Sequence, residues 1–285
     1  MLSLVLSIFF NLFGDGSALL KSGGHPKFPH QVCGTRSIDW SPQRNPKIIG
    51  GEQPPLGAVP WVVDLQYKGK HHCGGVLISK RLVLTVAHCY LDGLTVRAGV
   101  VTSDESEGEQ IVKVEKGIPH PEFKKYGPYS NDIAVLLLSA PVEETPYVKP
   151  ACVTGQSPPA GSVCEVSGWG AFDIKKRDVL SPVLQTAIVP LLSLDVCREN
   201  KVYGGRQQDI LDTMVCAGRL KGGVDACGGD SGGPLMCHFE GSLVLTGLVS
   251  WGDGCAKKHR PGVYTRVASY KEWIHLVARE FDEEL

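Results

Sequence analysis

The stretch "WVVDLQYKGKHHCGGVLISKRLVLTVAHCY" (Trp61 to Tyr90) decides the fold class. It holds three short runs of β-branched and aliphatic residues, "WVVDLQY", "GGVLIS" and "RLVLTVA", parted by glycine, lysine and serine. No apolar face recurs at helical spacing, so strands separated by turns are expected. The texture continues through "LTVRAGV", "DIAVLLLS", "VCEVSGWG", "LQTAIVPLL", "LVLTGLVSWG" and "GVYTRVA". Strands and turn signals at such short intervals predict an all-β barrel or sandwich from Ile48 onward. One helical pattern stands out: "ASYKEWIHLVAREF" aligns Trp273, Ile274, Val277 and Phe281, with Ser269 as the expected N-cap.

The chain has 285 residues, 42% of them apolar, enough for a large core. Lys and Arg number 29 against 30 Asp and Glu, with no basic stripe, so nucleic acid is not an expected partner. The ten cysteines are even in number, dispersed and free of C-x-x-C pairs. That pattern excludes zinc ribbons and thioredoxin-like sites and points to disulfides formed in an oxidising compartment. At the N-terminus, "LSLVLSIFFNLF" (Leu2 to Phe13) is too short to span a bilayer, is interrupted by Asn11 and is followed by small residues. Residues 1–18 therefore read as a signal peptide and the protein as secreted, with no membrane span. Residues 19–47 are rich in Pro, Gly and Ser and read as a pro-segment, leaving 48–285 as the functional domain. The acidic loop "SDESEGE" (Ser103 to Glu109) reads as solvated, and neither metal nor cofactor is expected.

Three short segments carry chemistry. "VDACGGDSGGP" (Val224 to Pro234) sets one serine, Ser231, among glycines that permit a sharp turn and direct the N–H groups of Gly229 and Ser231 at one point. "LTVAHCY" (Leu84 to Tyr90) ends a strand-like run on His88, and "SNDIAVLLL" (Ser130 to Leu138) opens one on Asp132. Each alone has a plain structural explanation. Together they offer a hydroxyl, a base and an acid to orient the base, which is what acyl transfer at serine needs.

In this order and context the segments closely resemble the chymotrypsin-like (trypsin family) serine endopeptidases, over Ile48 to about Phe281. The carrying motifs are "IIGG", "TVAHC", "DIAVL", "CEVSGWG", "GGDSGGP", "SWGDGC" and "PGVYTRV"; Val86 departs from the family's usual alanine. The resemblance implies two packed six-stranded antiparallel β-barrels with a C-terminal helix, His88 and Asp132 coming from the first barrel and Ser231 from the second. It implies His88, Asp132 and Ser231 as catalytic residues and Gly229 with Ser231 as the oxyanion hole. Asp225 matches the floor of the specificity pocket, lined by Ala226, Ser250, Trp251, Gly252 and Gly262, and implies cleavage after Arg or Lys. Ala226, where many relatives carry serine, favours Arg. Asp230 matches the acid that pairs with a new α-amino group once the chain is cut between Lys47 and Ile48, so a zymogen is implied.

The same resemblance implies the pairs Cys73–Cys89, Cys164–Cys237, Cys197–Cys216, Cys227–Cys255 and Cys33–Cys152, the last tethering the severed pro-segment. It also implies weak or absent calcium binding: Glu107 and Glu109 match acidic positions of the family's calcium loop, whereas Val100 stands where a carboxylate is usual. Expected partners are protein or peptide substrates with Arg or Lys at the cleaved position, an activating trypsin-like protease and protein protease inhibitors. A limited-proteolysis, cascade or venom role fits the tethered pro-segment; the alternatives are a digestive trypsin and a non-catalytic homologue acting as a binding module.

Overall fold

The computed structural model describes residues 33–42, 51–102, 108–171, 179–206 and 208–285. The expected signal peptide, the bond between Lys47 and Ile48, and Glu107 lie outside them. The opening stretch forms β1 (Val62–Tyr67), β2 (Lys70–Leu77) and β3 (Leu82–Thr85). β1 turns into β2 through Lys68 and Gly69, both at positive φ (51° and 73°), the geometry that two-residue hairpins favour because it matches strand twist. With β4 (Leu94–Ala98), β5 (Gln110–Pro119) and β6 (Ala134–Leu138) these strands close a barrel in the order β1-β2-β3-β6-β5-β4. β6 is buried throughout, which explains its unbroken "AVLLL", whereas β5 alternates half-buried and exposed residues from Gln110 to Glu115.

The chain then runs through the two-residue β7 (Cys152–Val153) into β8 (Val163–Gly168), β9 (Gln185–Leu192), the short helix α1 (Leu194–Cys197), β10 (Met214–Ala217), β11 (Pro234–Phe239), β12 (Ser242–Trp251) and β13 (Gly262–Arg266). These form a sheet in the order β11-β8-β9-β10-β13-β12, and the pairing of β11 with β12 closes a second six-stranded antiparallel barrel. The two-barrel architecture implied by the resemblance is present. β7 adds a parallel strand beside β12 that no alternation announces.

The C-terminal helix α2 (Lys271–Glu280) buries Ile274, Val277 and Ala278, followed by Phe281, in the same apolar cluster as the first barrel. Ser269 does not cap it. A 3-10 turn over Val267–Tyr270 precedes the helix and shifts its start past Ser269 to Tyr270, which makes no side-chain cap. Trp273 is half-buried against His120 and Tyr270.

The two barrels meet where glycine removes the side chain. A Cβ on Gly74 in β2 would lie 2.9 Å from the Gly233 nitrogen, and one on Gly232 would lie 2.2 Å from Thr85 Oγ1. All five expected disulfides are formed. Residues 33–42 are held by Cys33–Cys152 and also by an ion pair between Arg36 and Glu165, whose carboxylate is only 3% exposed. The Arg36 guanidinium lies over the rings of Trp40 (5.4 Å) and Trp61 (5.9 Å).

Candidate active site

β3 ends in a single 3-10 turn, Ala87–Cys89, that carries His88; the Cys73–Cys89 bond ties this turn back to β2. Asp132 enters β6 from a turn in which Asn131 holds a positive φ of 51°. Asparagine tolerates that conformation, and its amide is fixed by bonds to the Glu122 carbonyl (2.9 Å) and from the Tyr270 hydroxyl (2.9 Å).

Asp132 is fully buried and surrounded by donors. Its Oδ1 accepts the His88 backbone N–H at 3.0 Å. Its Oδ2 faces His88 Nδ1 at 2.8 Å and accepts the Ser250 hydroxyl at 2.6 Å. Thr265 donates to its carbonyl at 2.6 Å. A carboxylate facing Nδ1 puts the imidazole proton there and leaves Nε2 with a free lone pair. The charge is thus stabilised by donors from both barrels.

Ser231 sits between Gly229 (φ 97°) and Gly232 (φ 80°), conformations that L side chains rarely adopt. Its carbonyl accepts the Gly74 N–H of β2 at 2.8 Å, pinning the serine loop to the first barrel. Among the described residues the Ser231 hydroxyl makes no hydrogen bond, so the structure joins His88 to Asp132 and does not bond it to Ser231. The N–H groups of Gly229 and Ser231 likewise have no acceptor among the described residues. Gly229 is held through its carbonyl by His71 Nε2 at 2.9 Å, while His71 Nδ1 meets Asp64 Oδ1 at 2.7 Å. Both ring nitrogens face acceptors, which only the doubly protonated ring satisfies. Burial opposes that charge, but Asp64 and the Gly229 carbonyl outweigh it and raise the pKa.

Asp225 and Asp230 are held by different partners. Asp225 is 6% exposed at the floor of a cleft of about 370 Å³, whose walls include Ala226, Ser231, Ser250, Trp251, Gly252 and Gly262. Its Oδ2 accepts the Ala256 N–H at 3.2 Å, and its Oδ1 is buried with no partner. Burial pushes its pKa up to about 7, the backbone N–H of Ala256 offsetting only part of the shift. A Cβ on Gly262 would lie 2.8 Å from that free oxygen, so glycine keeps the approach to it open. Asp230 accepts N–H groups from Gly170 (2.7 Å) and Cys227 (2.8 Å), and it lines a small cavity with Asp225, Ala226 and Val166. Burial raises its pKa against those two donors.

Several contributors carry no local signal of their role. Ser250, expected in the substrate pocket, lines the cleft but gives its hydroxyl to Asp132; Thr265 acts from the "VYTRV" strand. Tyr129 stacks on Trp251 at 5.8 Å and meets His88 edge-on at 6.1 Å. Glu109, weighed as a calcium position, bonds Arg97 at 2.5 Å.

Residues 48–274 match the model of the Trypsin family. The chain belongs to the trypsin family. It is 44% identical over 236 residues to human serine protease 56, covering 80% of this chain and 38% of that protein. With mouse serine protease 56 it is 40% identical over 252 residues, 85% of this chain and 41% of that one. The chain thus spans about two fifths of the length of the curated relatives it matches. It is a trypsin-family serine protease with the family's two-barrel fold.

Proposed function

We propose that this trypsin-family protease is a secreted endopeptidase that cleaves after Arg, and more slowly after Lys, following activation between Lys47 and Ile48. The observation that carries the specificity is the buried, unpartnered Oδ1 of Asp225 at the cleft floor. A carboxylate so placed is stabilised by a cation arriving on a long side chain. Arginine's planar fork reaches it directly, while a lysine ammonium lacks the hydroxyl that serine in place of Ala226 would offer.

In the proposed reaction the Ser231 oxygen attacks the carbonyl carbon of the cleaved residue as its proton passes to His88 Nε2. Asp132 stabilises the imidazolium, and the Gly229 and Ser231 N–H groups receive the oxyanion. The C–N bond then breaks, the leaving amine taking the proton from Nε2. Water repeats the sequence on the acyl-enzyme and returns free Ser231. Residues preceding the cleaved one lie along Ser250–Gly252 as an added strand.

Residues 1–18 act as signal peptide and 19–47 as pro-segment, the latter retained through Cys33–Cys152. Asp230 receives the new Ile48 amine, a cation suited to a carboxylate that two backbone N–H groups hold among the described residues. A retained pro-segment supports a limited-proteolysis role over digestion. The test is to treat recombinant chain with trypsin, sequence the new N-terminus and assay an Arg peptide. Activity appearing with an Ile48 terminus, and absent from a Lys47→Gln variant, is expected; full activity of Lys47→Gln would overturn the activation step.

A further inference from the structure

The cleft has a cationic lip. Asp253 lies in the chain between the cleft-lining Gly252 and Gly254, and its one carboxylate is approached by Arg206 Nη1 (2.9 Å), Arg260 Nε (2.9 Å) and Lys257 Nζ (3.6 Å). Three cations on one anion leave a local positive excess in a chain of net charge -1. The adjoining loop adds Lys221 and Lys258, both exposed and without an ion pair among the described residues. The two loops are stitched by Gly223 N–H to the Ala256 carbonyl (2.9 Å) and His259 N–H to the Leu220 carbonyl (2.8 Å). Of the acids that flank Arg206 in sequence, Glu199 pairs with Lys201 at 2.7 Å and Asp212 with Arg198 at 2.7 Å, while Asp209 is exposed.

Not all of these cations are needed to hold the loop. Arg260, 15% exposed, is its clamp: it also bonds the Lys201 and Val202 carbonyls and lies over Tyr203, which meets Trp251 edge-on at 5.2 Å. Lys257 and Arg206 are different, with side chains 47% and 43% exposed. A Cβ on Gly254, a cleft-lining glycine, would lie 2.7 Å from Lys257 Nζ, so the ammonium rests on the cleft wall itself.

We propose that this lip reads acidic side chains among the four residues preceding the cleaved Arg, so that the preferred substrates are acidic just upstream of the scissile bond. The inference rests on the endopeptidase reading above, in which those residues run along Ser250–Gly252 and so pass Asp253 and Lys257. An extended strand advances ~3.3 Å per residue, which brings two or three of its side chains past the lip. Exposed ion pairs are individually weak, so the preference is a graded one of roughly 1.5- to 5-fold per acidic residue, and it shrinks with added salt.

The test compares kcat/KM of the activated protease for Arg peptides carrying Asp or isosteric Asn at each upstream position, alongside an unextended Arg amide. The expected result is a preference for Asp that falls at high salt and inverts in Lys257→Glu and Lys258→Glu. Equal rates for the Asp and Asn peptides, with the unextended amide cleaved, overturn the lip proposal and leave the endopeptidase reading intact. An uncleaved amide overturns both. Equal peptide rates with heparin retention lost in Lys257→Glu would assign the lip to a sulfated polyanion and overturn the acidic-peptide inference.

Discussion

Asp225 holds a charge that its surroundings oppose, and this sets a pH dependence of definite sign. Its carboxyl is raised from the ordinary 3.8 to about 7 by burial. Between those values the folded chain keeps a proton that the unfolded chain has lost. The resulting stability is full below the unfolded value and is lost as pH rises through about 7, amounting to about 4 kcal/mol at most. Asp225→Asn should therefore raise Tm relative to the parent more at pH 8 than at pH 5, while hydrolysis of Arg substrates collapses. In the parent protein, the affinity for a small aryl amidine should weaken as pH falls below about 7; affinity flat from pH 5 to 9 would show that Asp225 does not receive the cation. Ser250 gives a second residue-scale prediction. Its hydroxyl donates to the same Asp132 oxygen that orients His88. A bond to a charged group is worth ~1.5–3 kcal/mol, so Ser250→Ala should lower kcat by roughly ten- to a hundredfold. Unchanged kcat in Ser250→Ala would make the bond incidental.

Among the elements, legibility followed range. The strands of the opening stretch read correctly because half-buried and buried strands write themselves as local runs. β7 did not, since two residues held by a disulfide and one parallel neighbour leave no period. Ser269 looked like a cap because capping is judged on a few residues, whereas the start of α2 is set by the 3-10 turn docking Tyr270 into the core. Of the candidate site, His88, Asp132 and Ser231 stand out in the sequence through their local contexts. The Ser250–Asp132, His71–Gly229 and Arg36–Glu165 partnerships do not, each joining residues more than 100 positions apart. The last of these is testable. Removing one partner of a buried pair leaves an uncompensated charge, at ~3–5 kcal/mol. Arg36→Ala should lower Tm by roughly 6–20 °C for a domain of this size, and adding Glu165→Met should recover much of the loss. An unchanged Tm in Arg36→Ala would mean that the disulfide alone holds the segment.

For the molecule as a whole, two barrels place His88 and Asp132 on one side and Ser231 on the other, with glycine contacts and donors to Asp132 at the seam. This arrangement has a purpose only if Ser231 becomes acylated after activation. The most direct measurement is intact-protein and peptide mass spectrometry after exposure to an aryl ester of 4-guanidinobenzoic acid, whose cation fits the Asp225 cleft and whose acyl group deacylates slowly. One acyl group per chain is expected, on Ser231, in protein cut between Lys47 and Ile48, and none in the same protein carrying His88→Ala. Acylation at a different residue, or none in the cut protein, would contradict it.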